Sequence, residues 1–138
     1  MKNILEKPYL FFLGFIPFFV AIIMLFDTKT INLSYYGGKF EINLISFSLI
    51  SIGYFALISL NYYFLKWMNK KVIKWISFLH IFFQIIATFF LFYVVRNADL
   101  FFKEGTSNII ITIAFFIFLI SFFFHFINFV VSIFLKKE

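Results

Sequence analysis

Cysteine is absent from this sequence, and charged residues are scarce. The lack of cysteine excludes disulfide bonds, thiolate metal sites and cysteine-based redox chemistry, and it leaves the redox compartment undetermined. Charged residues make up 13% of the chain, whereas a soluble domain carries about a quarter. So few charges do not cover a water-soluble globule. We therefore expect lipid to be the main solvent of this protein.

Acidic residues are missing from the long apolar stretches, and glycine occurs 5 times in the chain. A proton- or cation-coupled transporter usually keeps a carboxylate inside the membrane or a broken, glycine-rich helix at its midplane. The sequence also has no glycine-rich phosphate loop, no Ser-His-Asp set and no HExxH motif. These absences disfavour a transporter or channel, and we predict that the chain is not an enzyme.

Four apolar stretches are present, at residues 8–26, 42–65, 72–95 and 109–135. Each is long enough to cross a bilayer core of roughly 30 Å, since a helix rises about 1.5 Å per residue. We predict an all-α integral membrane protein that lies in the lipid bilayer. Residues 1–138 are expected to form a single domain, a four-helix transmembrane bundle.

The connections between the apolar stretches carry signals of their own. Residues 27–41, the first outer loop, alternate apolar and polar side chains and include Gly37-Gly38. This pattern predicts a small β-hairpin whose turn lies at the two glycines. Three residues that favour the N-cap position precede the fourth apolar stretch: Thr106, Ser107 and Asn108. We expect one of them to cap the fourth helix.

Basic residues cluster at the ends of the apolar stretches. Eight of the 12 lie at the two termini and in segment 66–74, and the outer loops hold four basic residues balanced by four acidic ones. The positive-inside rule then places both termini in the cytoplasm, and we expect a multi-pass protein of a bacterial inner membrane. Although the net charge is +6, this distribution argues against nucleic-acid binding.

Polar side chains inside the last two apolar stretches fall on one face of each predicted helix. The third helix contributes His80, Gln84 and Thr88, and the fourth contributes Ser121, His125, Asn128 and Ser132. Depths counted at about 1.5 Å per residue from the basic ends predict rungs of facing side chains. The predicted rungs are His80–Asn128, Gln84–His125 and Thr88–Ser121. We call this arrangement the polar ladder.

Three interpretations of the polar ladder are open. Buried His, Asn, Gln and Ser side chains in hydrocarbon form hydrogen bonds between helices, each worth about 0.6 kcal/mol on average. In this interpretation no cofactor is needed, and no metal site is predicted. Alternatively, His80 and His125 are candidate cofactor ligands, because two neutral imidazoles at similar depth can hold a haem iron from opposite sides. A quinone or lipid head-group site that uses His80 and the basic rim is a further alternative.

Small residues line one side of each of the first two predicted helices. The first carries Gly14, Pro17 and Ala21, and the second carries Ser48, Ser51, Gly53, Ala56 and Ser59. Small residues let membrane helices approach closely. They predict packing surfaces, either within this bundle or against another membrane subunit.

Four short segments occur one after another along the chain, and their order resembles that of a known family. They are Lys7-Pro8-Tyr9-Leu10, Asp27-Thr28-Lys29-Thr30-Ile31, Phe40 before the second helix, and Trp75-Ile76-Ser77-Phe78-Leu79-His80. This order resembles the short membrane proteins related to a fragment of haem-copper oxidase subunit I. In that family the outer segment carries His-Asp-Thr-Tyr-Phe, and the helix after it carries metal-ligand histidines. Here residues 36–40 read Tyr-Gly-Gly-Lys-Phe and residues 42–65 contain no histidine, so the resemblance implies a non-catalytic relative.

These observations favour a non-enzymatic accessory or scaffolding subunit of a larger bacterial inner-membrane complex. Its expected partners are the lipid bilayer and other membrane protein subunits. The alternative is a haem- or quinone-binding electron-transfer subunit that uses His80 and His125. A small transporter or channel is a second alternative, which the apolar outer halves of the stretches disfavour.

The predicted orientation can be tested by cysteine labelling, because the chain has no cysteine of its own. A membrane-impermeant maleimide added to intact cells is expected to label Lys39→Cys and not Lys70→Cys. Labelling of Lys39→Cys only after the cytoplasm is opened would show that the topology is inverted.

Overall fold

The computed structural model describes residues 5–25, 30–35, 38–96 and 106–135. The chain forms helices α1 (Pro8–Leu25), α2 (Leu44–Trp67), α3 (Lys74–Arg96) and α4 (Thr106–Phe134), with two strands between α1 and α2. Each helix is long and apolar enough to cross a membrane. The prediction of an all-α multi-pass membrane protein with four transmembrane helices is therefore confirmed.

The helix boundaries differ from the predicted ones by a few residues. Helix α2 begins at Leu44 and not at residue 42, because the Asn43 side chain caps it by accepting a hydrogen bond of 2.8 Å from the Ile45 N–H. Helix α4 begins at Thr106. The three residues predicted to cap α4 thus lie inside its first turn.

The predicted β-hairpin is present between α1 and α2. Strand β1 (Thr30–Tyr35) pairs antiparallel with β2 (Gly38–Asn43). Gly38 pairs with Tyr35, so it belongs to β2 and not to the turn as predicted. The two connecting residues, 36 and 37, lie outside the described residues. The backbone of β1 approaches α4, which places the hairpin beside its own bundle.

Helix α2 ends in a left-handed turn that sends the chain into α3. Asn69 has φ 54°, and its N–H donates to the Lys66 carbonyl at 3.0 Å. The next N–H, that of Lys70, donates to the Leu65 carbonyl at 2.8 Å. These two bonds form a Schellman motif, in which asparagine takes the place that glycine usually holds.

The four helices pack as two antiparallel pairs, α1 with α2 and α3 with α4. Close approach between the pairs runs mainly through α2 and α4. Aromatic rings fill the space between the pairs. Phe12 of α1 is fully buried and stacks on the His80 ring of α3 with a centroid separation of 4.5 Å. The core residues are Phe12, Phe19, Ile22, Leu44, Phe55, Ile58, Tyr62, Leu65 and Ile81.

The outer surface of the helices is apolar. Large side chains such as Phe89 and Phe134 are 70% and 82% exposed, which suits a lipid environment. Trp67 and Trp75 are also exposed, and they flank the turn between α2 and α3. We call this end of the bundle, which carries Lys66, Lys70, Lys71 and Lys74, the basic end.

The left-handed turn at Asn69 gives a prediction about stability. Asn69→Ala should destabilise the protein by about 1–2 kcal/mol, since a Cβ without a compensating side-chain bond is strained in this conformation. Asn69→Gly should be neutral or stabilising. Thermal unfolding in mild detergent would measure both. Equal melting temperatures for the two variants would contradict the assigned backbone conformation.

Candidate functional site

The polar side chains singled out in α3 and α4 lie at the buried interface of these helices. Their relative exposures do not exceed 3% except at Thr88, which is half-buried. The buried members are His80, Gln84, Ser121, His125, Asn128 and Ser132, and Ser77 of α3 is buried beside them. Together with Asn61, Tyr54 and Tyr62 of α2 they form what we call the polar network.

Asn128 is the most highly connected residue of the polar network. Its Nδ2 donates to Ser77 Oγ at 2.7 Å and makes a longer contact of 3.5 Å with Tyr62 Oη. Its Oδ1 accepts from the Ile73 N–H at 3.0 Å and from Ser132 Oγ at 3.3 Å. Ile73 directly precedes α3, so Asn128 satisfies an N–H group at a helix start that hydrocarbon leaves without a partner.

Gln84 forms the other end of the polar network, nearer the hairpin. Its Oε1 accepts from Ser121 Oγ at 2.9 Å and from Tyr54 Oη at 3.3 Å. Ser121 Oγ also lies 3.2 Å from the His80 carbonyl oxygen. Helices α2, α3 and α4 therefore meet at this one amide.

His80 and His125 lie between these two ends, and each contacts a side chain of α2. Tyr62 Oη is 2.9 Å from His80 Nδ1, and Asn61 Nδ2 is 3.3 Å from His125 Nε2. With the Asn61 amide in this orientation its nitrogen donates, which makes Nε2 of His125 the acceptor and assigns the ring proton to Nδ1. The two imidazole rings face each other with centroids 5.0 Å apart.

The predicted register of the polar ladder is wrong by about one helical turn. The observed facing sets are Ser77 with Asn128, His80 with His125, and Gln84 with Ser121. The prediction placed the first residues of α3 level with the last residues of α4. In the structure Asn128 is level with the start of α3, because the last turn of α4 extends beyond it.

The polar network also includes residues that the sequence interpretation missed or set aside. Thr88 was predicted as a rung, but it lies one turn beyond Gln84 and lines an apolar depression. Ser77 precedes His80 by three residues on the same helix face, so the helical period could have identified it. Asn61 was assigned no function, because it lies near the inner end of α2, where it can reach the membrane interface. Tyr62 gave no such signal, because α2 is mostly apolar.

Two imidazole nitrogens remain unpaired within the described part of the chain. They are His80 Nε2 and His125 Nδ1. Ser48 Oγ is likewise buried without a hydrogen-bond partner among these residues. A buried polar atom without a partner costs free energy in hydrocarbon. These two nitrogens are the ring atoms of the polar network that could still bond to a ligand. The prediction that His80 and His125 bind a cofactor stays a prediction.

A haem group does not fit between the two histidines as they are packed. A bis-imidazole haem requires the macrocycle to pass between the rings. The bonds from Ser121 to Gln84 and from Asn128 to Ser77 cross that space, and each lies about one helical turn, roughly 5.4 Å, from the histidine pair. His80 is also stacked on Phe12. Insertion of the macrocycle would break both bonds and separate α3 from α4.

Comparison with known proteins gives no relative: no protein-family model, curated protein or solved structure matches the chain. The resemblance to a fragment of haem-copper oxidase subunit I therefore stays a prediction.

The connectivity of Asn128 gives a prediction about stability. Asn128→Leu keeps the branched shape of the side chain but leaves Ser77 Oγ and the Ile73 N–H without this partner, and we expect a loss of about 1–2 kcal/mol. Thr88→Val is the matched control, because it removes a hydroxyl from α3 outside these bonds and should change stability by less than about 0.5 kcal/mol. Thermal unfolding in detergent compares the two. Equal losses of stability in the two variants would show that the hydrogen bonds of Asn128 do not stabilise the bundle.

Proposed function

We propose that this protein is a non-enzymatic accessory or scaffolding subunit of a larger complex in a bacterial inner membrane, with both termini in the cytoplasm. The observation that carries the proposal is the outward position of Gly53 in the middle of α2. A Cβ built at this residue meets no heavy atom of the described residues within 4 Å. The glycine is therefore not needed for packing among the residues that the structure describes.

A glycine on the lipid-facing side of a helix needs a reason. It costs about 1 kcal/mol in helix propensity relative to alanine, and it gives lipid chains less surface to contact. Glycines at such positions let the backbone of a second helix approach closely. A partner helix seated over Gly53 would account for the residue, and a subunit of another membrane protein would supply it.

Helix α1 presents a comparable surface. Pro17 and Ala21 are both exposed, and they lie on the side of α1 away from the buried residues that face α2. By contrast, Ser48 and Ser59 of α2 are buried, and Ser59 Oγ donates to the Tyr9 carbonyl of α1 at 2.9 Å. The small residues are thus divided between packing inside the bundle and surfaces open to a partner.

The polar network supports the same proposal. Its amide and hydroxyl groups bond to one another across three helices, which is the behaviour expected of side chains that hold helices together. Such a bundle keeps a fixed shape in lipid. A fixed shape suits a subunit that acts by contact with its neighbours.

Gly53→Leu in combination with Ala21→Leu tests the proposal. Both changes add bulk at exposed positions, and leucine favours helix more than glycine, so the isolated chain should fold as before. The tagged wild type, purified from its native membrane in mild detergent, should carry membrane subunits at fixed stoichiometry. In the double variant these partners should fall by at least about tenfold in quantitative mass spectrometry, the effect of about 1.4 kcal/mol.

Val20→Leu is the matched control, since it adds bulk to an exposed position on a different side of α1. It should retain the partners. Purification of the wild-type chain alone, or equal partner recovery in the double variant and the wild type, would refute the proposed docking over Gly53.

A further inference from the structure

A cleft of about 600 Å³ opens at the basic end of the bundle. It lies between the start of α1, the end of α2 and the turn that leads into α3. Four lysines and one glutamate line it, together with Tyr9 and the buried Pro8 and Tyr62. The charged lining residues are Glu6, Lys66, Lys70, Lys71 and Lys74. The cleft therefore has an excess of positive charge.

Contacts within the chain hold several of these lysines in place. Lys66 Nζ donates to Tyr9 Oη at 3.0 Å, and Lys70 Nζ donates to the Leu135 carbonyl at 2.6 Å. Lys74 Nζ pairs with Glu6 at 2.7 Å, and both side chains are about half exposed. An ammonium group has three N–H donors, so each of these contacts leaves donor capacity for an anion in the cleft.

The position of the cleft matches the level of lipid head groups. Helices α1 and α3 begin here and α2 ends here, so the cleft lies where bilayer-length helices leave the hydrocarbon. The exposed Trp67 and Trp75 lie on either side of the turn, and tryptophan prefers this interfacial level. An anion bound in the cleft is thus placed beside the phosphate groups of the surrounding lipids.

An apolar groove of about 670 Å³ runs between α1 and α3, deeper in the bundle. It begins at Leu10, the residue after Tyr9 of the cleft, and Thr88 is its one polar residue. Its walls are formed by Phe11, Phe15, Phe18, Ile85, Phe89 and Phe92, with Gly14 at one edge. The cleft and the groove both use α1, although their lining residues do not overlap. A polar cleft at the head-group level and an apolar groove on the same helix match the two parts of a lipid molecule.

We propose that the basic cleft binds the phosphate head group of an anionic phospholipid, one acyl chain of which lies in the groove between α1 and α3. The lysines supply charge and N–H donors to the phosphate, and the Tyr9 hydroxyl lies beside Lys66. Basic pockets between transmembrane helices bind anionic lipid head groups in this manner. The assignment does not depend on the protein partners proposed above.

Binding of defined lipids to the full-length chain tests the proposal. Delipidated protein in neutral detergent is titrated with phosphatidylglycerol or with phosphatidylcholine of the same acyl chains, and bound lipid is counted by native mass spectrometry. The wild type should bind one phosphatidylglycerol in preference to phosphatidylcholine. In Lys66→Gln/Lys70→Gln this preference should fall by roughly 30-fold, the value expected for two interfacial lysines.

The control variant is Lys39→Gln/Arg96→Gln, which removes the same charge at the hairpin end and should keep the preference. Lys71→Gln/Lys74→Gln provides a second cleft variant if the first does not fold. Equal binding of the two lipids by the wild type would overturn the proposal. An equal loss in the control would also overturn it, because general surface attraction would then explain the binding.

Two further experiments identify the source of the bound phosphate and the position of the acyl chain. Millimolar inorganic phosphate should not displace phosphatidylglycerol; displacement would show that the cleft takes a soluble phosphate compound instead. Gly14→Leu places bulk in the groove, where a Cβ meets open space within the described structure. It should weaken binding of the long-chain lipid by about tenfold but not that of a dihexanoyl analogue. Equal effects on the long-chain lipid and on the dihexanoyl analogue would show that the acyl chain does not lie in the groove.

Discussion

Hydrocarbon offers no hydrogen-bond partners, and the architecture of this protein depends on how its buried polar groups find partners among themselves. The amide of Asn128 joins the start of α3 to the last third of α4, and the amide of Gln84 joins α2, α3 and α4 about two turns deeper. Between them the Tyr62 hydroxyl contacts His80. These bonds fix the register of one helix pair against the other, where apolar packing alone would let the helices slide.

The aromatic core complements these polar contacts. Phe12 is stacked on His80 and on Tyr62, so the ring that carries a polar contact on one side is covered by hydrocarbon on the other. The interior is therefore closed, and the two surfaces that we propose for binding lie outside it. One is the basic cleft, which we assign to a phospholipid head group, and the other is the glycine-bearing side of α2, which we assign to a partner subunit.

Much of the fold could be predicted from the sequence because its signals are local. Apolar length identifies a transmembrane helix, and alternation followed by glycine identifies the hairpin. The site was harder to predict, because the register that brings His80 opposite His125 depends on where two separate helices begin and end. An error of a few residues at the start of α3 shifts every rung by a turn. Asn61 was assigned no function because of its place near the inner end of α2, and Tyr62 was missed. Their roles arise from the approach of α2 to α3 and α4, which the sequence of α2 does not encode locally.

The central claim is that the polar network holds the bundle together and that the protein acts by association with other subunits. The most direct measurement is an absorption spectrum and a mass-spectrometric inventory of the same sample, purified from its native membrane in mild detergent. The account predicts membrane subunits at fixed stoichiometry and no Soret band that depends on His80 or His125. A chain that purifies alone with a Soret band, lost in His80→Ala, would contradict it.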